Sequence, residues 1–211
     1  MSRPTSKLDN RKQAGSRRTQ AERSEEMRAR LKQAAFDLVA SGGLGALRIA
    51  NVAKTAGVSQ GAVLHHFPNK NQVTLAAVER ALELANSESV AWDTVADDPD
   101  RVLRAMIDEF RRFFFSDRFW VAIAINVEHS SEQGFSELMT NKVAAMRQPV
   151  YAAWQEKLVQ AGWKNTIAEK LVRSGAALIS GIAVRRMWAE PDQLSDEIIT
   201  DWISAAQAMR K

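Results

Sequence analysis

The side chains that could do chemistry are few. The chain has three histidines, His65, His66 and His129, and no cysteine. A thiol nucleophile, a cysteine zinc site, an iron–sulfur cluster and a disulfide framework are therefore excluded. His65 and His66 are adjacent, and neighbours on a helix diverge by about 100°, so they cannot share the i, i+4 face of a metal-binding pair. His129 follows Glu128 alone. Gly43-x-Gly45 lacks the third glycine of a dinucleotide loop and reads as a turn, and neither a Gly-x-Ser-x-Gly elbow nor a phosphate loop occurs. No catalytic residue, metal or cofactor is expected, and an enzyme is not the reading.

What remains is recognition chemistry. Residues 49–66 read IANVAKTAGVSQGAVLHH. Val52, Ala53 and Ala56 fall on one face of a short helix, Gly57 takes a turn that favours positive φ, and Val58 and Val63 close a small core. Ala53 precedes the glycine by four residues, which lets a second short helix cross the first closely, as a helix-turn-helix requires. Ser59 is an N-cap for that second helix, which presents Gln60, Gly61, Ala62, Leu64, His65 and His66 outward. Such a helix enters a major groove and reads base edges with its first residues. Gln60 can pair with adenine through two hydrogen bonds, Gly61 and Ala62 leave room for close approach, and Lys70 at the next helix start suits a phosphate.

Charge supports a polyanion at this end. Residues 1–72 carry 13 Lys/Arg against 5 Asp/Glu, whereas residues 73–211 carry 16 against 20. A basic third on an acidic remainder matches a nucleic-acid head on a body with another task. Residues 1–23 read as a disordered basic arm, with Arg3, Lys7, Arg11, Lys12, Arg17, Arg18 and Arg23 and almost no large apolar side chains. No apolar run reaches the length of a membrane span or forms a signal peptide, so a cytoplasmic protein is expected.

The elements that must hold these residues are helices throughout. A helical period runs from about residue 24, and about nine helices follow with no alternating strand pattern. Residues 24–89 form the DNA-binding unit with a connecting fourth helix capped by Asn69; residues 90–211 form a larger helical unit. Pro99 starts a helix behind Asp98, Pro149 interrupts a long one with a kink, Thr166 and Glu169 form a capping box, and Ser195 opens the last helix.

Residues 27–75 resemble the N-terminal domain of the TetR family of transcriptional repressors. The matching parts are Ala34-Ala35, Gly43, Val52-Ala53, Ala56-Gly57-Val58-Ser59 and His66-Phe67-Pro68-Asn69-Lys70. The resemblance implies DNA contacts at Arg48, Ser59, Gln60, Gly61, His65, His66 and Lys70. Two positions depart from the family pattern: Arg48 replaces the usual Thr, and Leu64 replaces the usual Tyr and cannot donate a hydroxyl to a phosphate.

The resemblance also implies that residues 90–211 bind a small molecule and dimerise. The aromatic content of this half suits an apolar pocket, for an apolar or amphipathic ligand, lined by Phe110, Phe114, Trp120, Ile123, Asn126, His129 and Trp154. Two stripes look like an interface: Leu171, Ser174, Gly175, Leu178, Gly181 and Ile182 on one helix, and Ile198, Ile199, Trp202, Ile203, Ala206 and Met209 on the last. The family's dimer places such helices in a four-helix bundle, and two-fold symmetry suits a palindromic operator. The expected function is a homodimeric repressor released from double-stranded DNA by a ligand. Two other readings stay open: a ligand-independent architectural DNA binder, and a sensor or scaffold whose helix-turn-helix has lost DNA, for which Leu64 is the hint.

Overall fold

In a computed structural model of the protein, residues 19–87, 97–188 and 191–210 are described. Residues 1–18 of the expected disordered arm and the expected boundary at 89/90 lie outside them, whereas residues 20–23 of that arm are helical. The described residues form nine α-helices and no strand: α1 (Gln20–Gly42), α2 (Ile49–Ala56), α3 (Gln60–His66), α4 (Lys70–Ser87), α5 (Pro99–Phe114), α6 (Asp117–Glu128), α7 (Gln133–Gln160), α8 (Asn165–Arg185) and α9 (Asp192–Ala208).

Local chemistry explains most of the boundaries. Thr19 and Glu22 cap α1 reciprocally, so the helix begins at Gln20 rather than at residue 24. Gly57 sits at φ 66° and ψ 39°, a left-handed turn that only glycine adopts without strain, and it separates α2 from α3. Asp98 caps α5 with Pro99 in the first turn.

Two expected ends shift. Lys164 precedes α8 with no side-chain cap, Thr166 lies inside the first turn, and Glu169 instead faces Arg173 at 3.6 Å. The capping box therefore does not form. α9 starts at Asp192, and Ser195 is a buried residue within it. Pro149 lies inside α7, which runs through it as one unbroken helix.

Helices α1–α3 enclose a small core around Leu31, Ala35, Val52, Ala53 and Val63. α4 carries buried Val73, Ala77, Val78, Ala81 and Leu82, and it packs on α1 at one side and on α6 and α7 at the other. α4, together with a direct contact of α1 on α6, therefore joins the three-helix head to the body formed by α5–α9. Arg147 and Glu109 are charged yet buried inside that body.

Candidate nucleic-acid interface and cavity

α3 stands on the head with one buried residue, Val63. The Ser59 hydroxyl accepts from the Ala62 amide at 3.2 Å, satisfying a helix-end donor and fixing where α3 begins. Gln60, Gly61, Leu64 and His65 are exposed, and Ala62 and His66 are half-buried. Arg48, the residue before α2, and Lys70, the first of α4, are exposed on either side. The Asn69 side chain accepts from the Gln72 amide at 3.0 Å and holds the start of α4. Of the eight expected DNA-contact positions, Ser59 caps α3, Gln60, Gly61, Ala62, His65 and His66 lie on it, Arg48 precedes α2 and Lys70 opens α4.

Gly61 shows what α3 is built for. An added Cβ would meet only the Ser59 hydroxyl at 3.8 Å, which is ordinary contact, and the backbone has no positive φ. Nothing within the protomer asks for glycine, although helical glycine costs about 0.5–1 kcal/mol relative to alanine. The space over Gly61 is open to the outside of the protomer.

Two features of this surface were not read from the sequence. Arg28 of α1 donates to the His66 carbonyl at 3.0 Å and lies over the Phe67 ring at 4.8 Å. A cation at the C-terminal end of α3 suits the helix dipole and clamps the recognition helix to α1. Burial, the neighbouring His65 and the Arg28 charge together hold the His66 imidazole below its ordinary pKa. His66 is therefore a neutral hydrogen-bonding group at neutral pH. Only the packing of α1 against the α3–α4 corner, 38 residues apart for Arg28 and His66, could reveal this.

The body holds an open-mouthed cavity of about 510 Å³ between α4, α5, α6, α7 and α8. Phe114, Ile123 and Asn126 line it as expected, with Leu82, Phe113, Phe119, Met139 and Tyr151. Four expected lining residues are elsewhere. Phe110 is fully buried behind the wall, edge-on to Phe114 and Tyr151. Trp154 is fully buried and donates to Glu109 at 3.2 Å. His129 Nδ1 is 2.8 Å from Glu132 Oε1 and its ring stacks near Phe135, and Trp120 packs beside Phe119. Helical spacing groups residues on a face, but whether that face meets a void or a neighbour depends on the helix opposite.

Arg147 is a lining residue that the sequence concealed. Its guanidinium lies over the rings of Phe113 at 4.2 Å and Tyr151 at 5.3 Å, and its Nη1 is 3.7 Å from Glu109. Burial pushes the Glu109 carboxyl above its ordinary range, more strongly than Arg147 and the Trp154 indole pull it down.

The expected interface residues divide. Leu171, Gly175, Ile182, Ile199, Ile203 and Ala206 are buried within the protomer, so they are core and not surface. At Gly175 the reason is visible: a Cβ would meet Ile107 of α5 and Trp202 of α9, each at 3.2 Å. Ser174 and Gly181 are exposed, and Leu178 and Trp202 are half-buried. Beside them α9 exposes Leu194 and Ile198, and Met209, the residue that caps its C-terminal end, is exposed too. Elsewhere on α9, Asp196 is bonded to Arg111 of α5 at 3.0 Å.

Among the described residues no three His, Asp or Glu side chains gather to hold a metal ion, and no helix is long and apolar enough to cross a membrane. Comparison with known proteins agrees with the geometry of the head. The pattern described as "Bacterial regulatory proteins, tetR family" matches residues 31–77. The HTH-type transcriptional regulator CymR of Pseudomonas putida is 30% identical over 191 residues, covering 90% of this chain and 94% of that protein. A TetR transcription regulator from Haloarcula marismortui superposes with a TM-score of 0.66 at 18% identity, over 86% of this chain and 98% of that one. The multidrug binding protein EbrR, complexed with imidazole, gives 0.54 at 20% identity, over 83% and 93%.

Proposed function

The chain belongs to the TetR family of bacterial regulatory proteins, and from that premise we propose that it is a dimeric repressor that leaves a palindromic operator when a small ligand fills the body cavity. As a family member it is a DNA-binding transcriptional regulator and not an enzyme. Such a protein acts on DNA in the bacterial cytoplasm.

The observation that carries the DNA reading is the exposed N-terminal half of α3, with Gln60 and the open Gly61 set between two cationic anchors. In this reading Gln60 reads a base edge, while Arg48 and Lys70 hold phosphates and set the register. Leu64 is 41% exposed. It supplies an apolar contact, such as to a thymine methyl, where a hydroxyl would hold a phosphate.

The dimer reading moves to the surface that the protomer leaves open. Leu194 and Ile198 of α9 and Met209 at its end, beside Ser174, Leu178 and Gly181 of α8, pair with their two-fold copies. The small residues permit close helix approach, and the apolar ones supply the burial.

Release follows from how α4 is held. Leu82 of α4 touches the cavity, and Glu79 of α4 binds Lys142 of α7 and Lys32 of α1. The Asn86 side chain of α4 donates to the Met146 carbonyl of α7 at 3.3 Å. A ligand that shifts α7 moves α4, and with it Lys70 and the adjoining α3. The ligand must bind better to the form whose heads no longer match the half-sites. A cavity of this size supports the ligand-released reading over an architectural DNA binder.

Selection of binding sites from random duplex DNA, followed by footprinting, tests the proposal. The expected product is a two-fold symmetric sequence whose half-site centres lie about 34–36 Å, or a multiple of that, apart. An enriched site without symmetry would remove the dimeric reading, and no enrichment at all would remove sequence-specific binding.

A further inference from the structure

Arg147 is 4% exposed, and its Nε, Nη1 and Nη2 atoms are buried without a hydrogen-bond partner. A guanidinium has five N–H donors and keeps its charge at any pH a protein survives. Its nearest carboxylate, Glu109, approaches only to 3.7 Å, an ion pair too long for a hydrogen bond. The other Glu109 oxygen already accepts the Trp154 indole N–H. Phe113 and Tyr151 lie against the guanidinium and fix its plane. A buried charge left in this condition is costly unless something completes it.

Arg147 also forms part of the cavity wall, and the rest of that wall is largely apolar and aromatic. We propose that the cavity takes a monocarboxylate with an apolar body: neighbouring side chains cover the Arg147 nitrogens in this structure, and a shift of the wall on binding uncovers the fork for the two carboxylate oxygens while the body lies against Phe114, Phe119 and Ile123. A carboxylate is planar and matches two parallel guanidinium donors, whereas a neutral ligand leaves most of them unmet. A cationic ligand is repelled. A dicarboxylate finds no second buried cation, because Arg173 at the rim is 60% exposed and 3.6 Å from Glu169. The size of the cavity suits a one- or two-ring acid.

This inference deepens the ligand-released reading by naming the class of ligand, and it rests on that reading only for its regulatory consequence. The test is calorimetry on the full chain with three probes of one shape: 2-naphthoate, 2-naphthamide and 2-naphthylmethylammonium. Wild type should bind the acid at least about tenfold more tightly than the amide, since buried donors left unpaired discriminate by that much or more. The ammonium should bind weakest. Arg147→Gln should erase the preference for the acid, and Arg147→Lys should keep part of it, as a point charge without the fork.

Because Arg147→Gln strands Glu109, the double variant Glu109→Gln/Arg147→Gln keeps the cavity neutral, and circular dichroism checks that it is folded. Equal binding of acid and amide by wild type overturns the proposal. So does a preference that survives in the folded double variant, or failure of every probe to bind below about 1 mM. The two readings separate on operator DNA. An Arg147-dependent preference for the acid, with operator affinity unchanged, upholds the anion site and removes ligand release. Probes that weaken operator binding without preferring the acid leave release standing and overturn the anion site.

Discussion

Replacing Gly61 with alanine should strengthen the fold and weaken DNA binding at once. The added methyl meets only the Ser59 hydroxyl at 3.8 Å, and the backbone is helical, so neither clash nor strain opposes it. Removing a helical glycine should raise unfolding stability by about 0.5 kcal/mol, the low end of the usual range because Gly61 lies in the first turn of α3. On DNA the same methyl stands between the helix and the groove floor. Holding α3 back should cost at least one bidentate base contact, worth about 1–3 kcal/mol, or roughly tenfold or more in affinity. Urea unfolding reads the first effect, and fluorescence anisotropy on the selected operator at fixed salt reads the second. Unchanged operator affinity would refute the placement of Gly61 against DNA. A loss of stability would refute the claim that nothing in the protomer needs glycine there.

Gln60→Ala should cost about 1–3 kcal/mol on the operator and relax preference at one base pair. By contrast, Lys70→Ala should weaken operator and random DNA alike and lower the logarithmic salt slope by about one unit. Ile198→Glu should turn the dimer into a folded monomer in equilibrium sedimentation. Ile203→Glu, at a residue 5% exposed within the protomer, should instead unfold the chain by burying an unpaired charge at a cost of several kcal/mol; the reverse pattern would misplace the interface. Burial raises the pKa of Glu79, but hydrogen bonds to Lys142 and Lys32 outweigh it and leave the carboxyl below its ordinary value of 4.5. A depressed pKa stabilises above the unfolded value, and the gain disappears as pH falls through the folded one. The stability gap between wild type and Glu79→Gln should therefore close below about pH 4.5; a gap constant with pH would show that Glu79 does not act as a charged link.

The head was legible because its signals are local. Ser59 caps the residue three positions on, Gly57 needs its φ for itself, and Val52, Ala53, Ala56 and Val63 are placed by spacing within fifteen residues. The body was legible as helices but not as a site, because what a helical face meets is decided by partners far along the chain. Trp154 looked like a pocket residue and is instead locked to Glu109, 45 residues away. Arg147 carries no signal in the sequence that sets it apart from other charges, yet it is buried against Phe113 and Tyr151. The same blindness moved the interface. An apolar stripe on α9 has two flanks, and only packing shows that Ile199 and Ile203 turn inward while Leu194 and Ile198 remain outside. The Lys32–Glu79 ion pair and the Arg28 hydrogen bond to the His66 carbonyl span 47 and 38 residues, beyond any helical period.

The central claim is that α3 reads DNA sequence. Equilibrium binding of the full chain to its selected duplex, and to a scrambled duplex of the same composition at physiological salt, tests it most directly. The predicted outcome is a preference for the selected duplex of about a thousandfold or more, reduced at least tenfold by Gln60→Ala. Equal affinity for the two duplexes, or a preference untouched by Gln60→Ala, would contradict it.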